Sequence, residues 1–137
     1  MTGAKYNKFR IGFQLPTLND YTYAQRVNRY VGAKFKKGIE QQIKSGILEG
    51  LQAGTLEPRG ETPSEILIVF YEKNKRRDVD NIQSSTKFIL DSMVGLDIIK
   101  NDTQKYIKQV YHFINHTDGE SFADVYIFDV GYIKFII

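Results

Sequence analysis

The 137-residue chain has no cysteine, which excludes disulfides, thiolate metal sites and a cysteine nucleophile. A cysteine-free chain fits a reducing cytoplasm. Proline occurs three times, and Pro58 and Pro63 fall together with Gly54 and Gly60 in residues 52–64, which read as a loop. No apolar run approaches the ~20 residues of a membrane-spanning helix. Met1–Arg10 is polar and basic with no apolar stretch behind it, so neither a secretory leader nor a membrane span is expected. No glycine-rich phosphate loop is present, and no nucleotide cofactor is expected. Histidine occurs only at 112 and 116; on a strand and turn that spacing does not juxtapose the rings, so structural roles are expected for both.

Acids are scarce at one end. Residues 1–50 hold nine Lys/Arg against three Asp/Glu, while the remainder holds ten against thirteen. A basic half beside an acidic remainder suits an anionic partner docking next to a cation-attracting site.

The apolar pattern predicts one α+β domain. A mixed sheet of about four to five strands carries two main helices, in the order β-α-β-α-β-β. Residues 7–15 alternate as a half-buried strand that Pro16 ends. Asn19 or Asp20 would cap a long helix, in which Val27, Val31, Phe35, Ile39, Ile43, Ile47 and Leu51 form a core-facing stripe. Gly32, Gly38 and Gly46 are the expected places for a bend. Ile66–Tyr71 is a continuous apolar run, the pattern of a central strand buried on both faces. A second helix is expected over 80–93, with Gly95 as its stop. Residues 106–115 and 122–130 would form a hairpin, and 132–137 a last strand or a partner contact. Most aromatic side chains, Tyr21, Tyr23 and Tyr30 among them, are assigned to core packing, with stacking on bases as the alternative.

The chemistry concentrates in Lys75-Arg76-Arg77-Asp78-Val79-Asp80-Asn81. Two carboxylates one residue apart repel unless a cation sits between them. Hard divalent ions accept one or two such carboxylates plus substrate phosphates, which the neighbouring cations would hold. If extended, the segment points Asp78 and Asp80 the same way, and Asn81 can cap the helix or hold a carboxylate in place. An EF-hand is excluded, because the positions that need Gly and Glu carry Gln83 and Ile89. Asp91 would lie roughly 16 Å from Asp80 along a helix, too far to share an ion. Asp97 and Asp102 both remain open as a third ligand.

With these pieces in order, the chain resembles the RusA family of Holliday junction resolvases. The family pattern is a basic stretch, D-x-D-N-x-x-K, a helix with D-x-L and an acidic pair in the following loop. Lys75 to Gln83 matches the first part, Leu90-Asp91-Ser92-Met93 the helix, and Asn101-Asp102-Thr103-Gln104 the loop. The likeness is close over about residues 66–115. It implies Asp78, Asp80 and Asp102 as catalytic carboxylates binding Mg²⁺, or Mn²⁺. The family lysine falls at Ser84, and Lys87, which keeps the spacing to Asp91, takes its place. Lys73, Lys75, Arg76 and Arg77 would hold DNA, while Asn81 and Asp91 support the site, Asp91 pairing with Lys87. The implied protein is a homodimeric, bacterial or phage-encoded cytoplasmic endonuclease that nicks four-way DNA junctions. A flap- or fork-specific metal nuclease and a non-catalytic DNA-binding module are the alternatives.

Overall fold

The computed structural model describes residues 6–133, apart from the side chains of Tyr6 and Leu18. β1 (Tyr6–Ile11) leads to helices α1 (Leu18–Val27) and α2 (Arg29–Ala53). Then follow β2 (Ser64–Glu72), α3 (Val79–Gln83), α4 (Thr86–Gly95), β3 (Ile107–His116) and β4 (Phe122–Asp129). The four strands form one mixed sheet in the order β1-β4-β2-β3, with β2 and β3 parallel and the other pairs antiparallel. The expected small α+β domain is thus found, with α2 and the α3–α4 pair as its main helical elements. Among the described residues no helix is long and apolar enough to cross a membrane.

β2 is central because its apolar run can be buried on both sides of the chain. Register aligns Phe9 with Val125, Val125 with Ile68, and Ile68 with His112. That row points into the core with Ile11, Ile66, Phe70 and Ile127, under Ile43 and Ile47 of α2 and Phe88, Ile89 and Met93 of α4. The alternate residues, including Lys8, Arg10, Tyr71 and Tyr126, face the other way. There the Arg10 guanidinium grips buried Asp124 with two hydrogen bonds of 2.8 and 3.0 Å.

Several expectations change. β1 stops at Ile11, short of Leu15, and α1 is capped by Thr17, whose side chain and that of Asp20 bond each other's backbone N–H groups. The long helix breaks at Asn28 rather than at a glycine. The Asn28 backbone is extended and its side chain accepts from Val31 N, so a competing side-chain bond opens a new helix there. Gly32 lets the two helices close at this elbow, since a Cβ would lie 2.8 Å from Gln25 Cγ. Gly46 lets α2 approach β1, where a Cβ would come within 2.2 Å of the Arg10 carbonyl oxygen. The break also splits the expected stripe: Ile43 and Ile47 are fully buried, whereas Val27 and Val31 are exposed.

The second helix is likewise divided, at Ser84 and Ser85, whose hydroxyls bond back to the carbonyls of Asn81 and Ile82. Residues 106–115 and 122–130 do not form a hairpin, because β2 lies between β3 and β4. Their connection crosses the end of β2, where Thr117 N donates to Glu72 O. The physical reason is that β2 needs a neighbour on each edge. Of the tail, Tyr132 stacks on Phe128 and Ile133 is buried; residues 134–137 of the expected strand lie outside the described residues.

Candidate active site

β2 delivers the chain from the core to the carboxyl end of the β2–β3 pair, the position where open sheets with parallel strands gather ligand sites. Glu72 closes the strand and is only 7% exposed. Arg77 turns inward to it, with Nε 3.3 Å from Glu72 Oε1 and Nη1 donating to Leu15 O at 2.7 Å. Together with Lys75, Val79, Ile82 and His116 this pair lines a cavity of about 300 Å³. Arg77 is therefore an internal brace. Lys73 pairs with Glu120 at 3.0 Å, which leaves Lys75 and Arg76 exposed and, among the described residues, without an ion pair.

Asp78 occupies the N-cap of α3, with an extended backbone, yet its carboxylate makes no capping bond. Asp80 is in the first turn, and its Oδ1 accepts from Asn81 N at 3.0 Å. The segment is thus a helix start, as expected for residues near Asp80, with only Asp78 extended. Both carboxylates are exposed, and neither has a cationic partner among the described residues. The Asn81 side chain accepts from Asn19 Nδ2 at 3.3 Å, tying the site to the first turn of α1, while its backbone N–H holds the Asp80 carboxylate. Two unneutralised hard-oxygen donors one residue apart fit a divalent ion that completes its shell with water and phosphate. Among the described residues no group of three or more acids or histidines is close enough to hold an ion.

Asp102 explains why. It precedes β3, and the Thr103 carbonyl accepts from Tyr106 N and Ile107 N, while Ser64 N donates to Tyr106 O. Asp102 therefore sits where β2 begins, whereas Asp78 and Asp80 follow where β2 ends. Nine residues of strand separate those ends by roughly 26 Å. Asp102 is exposed and, like the pair, has no cationic partner among the described residues. Asp97, the competing candidate, has a left-handed backbone with φ 57° and ends α4, with Ile98 N donating to Met93 O beside it. It acts as a turn residue.

Lys87 Nζ lies 3.5 Å from Asp91 Oδ2, the expected pair, and Lys36 of α2 reaches the same oxygen at 3.3 Å. Burial works against the Lys36 ammonium, but the hydrogen bond and charge of Asp91, with Glu40 adding to them, raise its pKa above that of an ordinary lysine. Asp91 thus joins α2 to α4. His112 is structural: it stacks on Phe70, its Nε2 lies 2.7 Å from Thr86 Oγ1, and burial lowers its pKa. His116 is exposed at 3.2 Å from Asp118.

Sequence reasoning missed the Glu72–Arg77 brace. Its signal is an acid that ends an apolar run five residues before an arginine. Reasoning from the pattern also assigned Tyr23 and Tyr30 to the core, but they are 72% and 82% exposed. No family model matches this chain, and no curated protein matches it.

Proposed function

We propose that this chain is a Mg²⁺- or Mn²⁺-dependent DNA endonuclease that resolves four-way junctions as a homodimer, in a bacterial cytoplasm. The observation that carries the reading is the pair Asp78 and Asp80, exposed beyond the end of a buried strand and beside the exposed cations Lys75 and Arg76, all four without an ion pair among the described residues. A bound divalent ion supplies positive charge at a phosphate and a lowered pKa for a water. Asp78 and Asp80 would hold that ion, and Lys75 and Arg76 would bind the DNA backbone, giving affinity that falls with salt. Lys87, kept in place by Asp91, adds positive charge near the start of α4.

The third carboxylate follows from the roughly 26 Å between the two ends of β2. One copy cannot close that gap, so each site would join Asp78 and Asp80 of one subunit to the partner subunit's Asp102. A twofold dimer then carries two such sites, one for each opposed strand of a junction.

Subunit mixing tests this. Asp80→Asn and Asp102→Asn should each be inactive alone on a labelled four-way junction in Mg²⁺. After unfolding and refolding together, half the dimers are mixed, and each mixed dimer has one site with all three carboxylates. Roughly a quarter of wild-type nicking should return. If the mixture stays inactive while either variant still binds the junction, the composite site is wrong. If wild-type protein nicks a flap or fork and spares the junction, the metal site stands and the substrate assignment fails.

A further inference from the structure

The elbow between α1 and α2 has no part in the site just described, and its composition is unusual. From Tyr21 to Ile39 there are five cations and no acid. Lys36 is engaged by Asp91 and Glu40. Arg26, Arg29, Lys34 and Lys37 are exposed and, among the described residues, have no ion pair.

The break at Asn28 turns two tyrosines outward between these cations. Tyr21, seven residues before it, is half-buried, stacked on Phe35 and edge-on to Phe88. Tyr23 and Tyr30 have no such neighbours among the described residues and present most of their ring surface to water. Helical spacing puts Arg26 and Val27 on the face of Tyr23, at i+3 and i+4. On α2 it puts Lys34 and Lys37 on the face of Tyr30, at i+4 and i+7. Between the helices lies a shallow hollow of about 430 Å³, lined by Tyr23, Ala24, Val27, Val31 and Phe35 together with Pro16 and Asp20, whose carboxylate accepts from Thr17 N.

A second copy of this surface would be repelled by it, since both are cationic, so the occupant is anionic. Duplex DNA would use the cations but not the rings, because its base faces are already stacked. An unpaired strand repeats one phosphate and one flat base per nucleotide, and that alternation matches cations interleaved with exposed aromatics. We infer that the α1–α2 elbow binds single-stranded DNA, with Tyr23 and Tyr30 stacking on bases and Arg26, Arg29, Lys34 and Lys37 holding the phosphates. The inference shares with the nuclease reading the premise that DNA is the partner, but it does not need the metal site.

The test is fluorescence anisotropy of a short labelled oligothymidylate and of a duplex of the same length, with the full chain in EDTA. The double variant Tyr23→Ala, Tyr30→Ala should weaken oligothymidylate binding by about tenfold or more and change duplex binding less than about twofold. Replacing both tyrosines by Phe should restore binding, since the ring is what stacks. Arg26→Ala with Lys34→Ala should weaken both ligands and flatten the salt dependence. Unchanged oligothymidylate affinity in the alanine variant would overturn the inference. So would an equal loss on duplex, which reduces the patch to charge, or tyrosine-dependent binding of polyglutamate at similar affinity. Asp80→Asn should bind the oligonucleotide normally, so loss of cleavage and loss of strand binding report on different claims.

Discussion

The two ends of the parallel pair β2–β3 carry similar residues and use them differently. Where β2 begins, Arg59 bonds Ser64 and Asp129, Lys100 pairs with Glu61 at 3.1 Å, and the buried Glu65 carboxylate accepts from Gly131 N; Asp102 is exposed and, among the described residues, has no ion pair. Where β2 ends, Glu72 and Arg77 neutralise each other, yet Asp78 and Asp80 are left open a few residues on. Paired charges fasten loops to the sheet, and unpaired ones mark what the fold does not need for itself. Of the three candidate carboxylates, Asp78 and Asp80 stand beyond one end of β2 and Asp102 at the other, with the length of the strand between them.

The largest expected effect breaks that contrast at its open acids. Asp78→Asn and Asp102→Asn should each lower junction cleavage on the order of a hundredfold or more, with melting shifted by no more than ~0.5 kcal/mol. Asp97→Asn, which keeps the left-handed turn, should leave both unchanged. If Asp97→Asn abolished cleavage and Asp102→Asn did not, the assignment of the third carboxylate would fail. Next comes the paired side. Arg77→Ala strands the Glu72 carboxylate in the interior and should destabilise the fold by about 2–4 kcal/mol, seen in urea denaturation; a loss of activity without that shift would mean that Arg77 contacts DNA.

The smallest effect is a pH dependence. Burial lowers the His112 pKa below its ordinary value of 6.5, so the unfolded chain takes up a proton more readily than the folded one. Stability from this group is complete above about pH 6.5 and is lost as pH falls below it. Thermal melting between pH 7.5 and 5 should therefore decline, and His112→Phe, which retains the stack on Phe70, should reduce the slope. An unaltered slope would assign the acid sensitivity to other groups.

The central strand was legible because Ile66–Tyr71 is apolar without alternation, and that also located the site at its end. The partners of β3 and β4 were not, since alternation identifies a strand and its buried face but not its neighbour. The elbow escaped because one asparagine side chain outcompetes a helical pattern that runs straight through it. The distance of Asp102 from Asp78 and Asp80 was hidden for a related reason: spacing along the chain counts residues and does not say at which end of a sheet the chain returns. What pointed at Asp78, Asp80 and Asp102 was their residue type and motif, which says nothing of whether one copy can assemble them.

The register Tyr6–Phe128 through Ile11–Ala123 makes the earliest strand depend on the latest. Among the described residues β1 borders β4 alone, so during synthesis Phe9 and Ile11 wait until residues 122–129 have left the ribosome. Closing that span is slow, and the waiting segment is exposed to wrong partners. A ribosome that stalls before residue 122 would therefore release a chain missing both strands of one side of the sheet, not one.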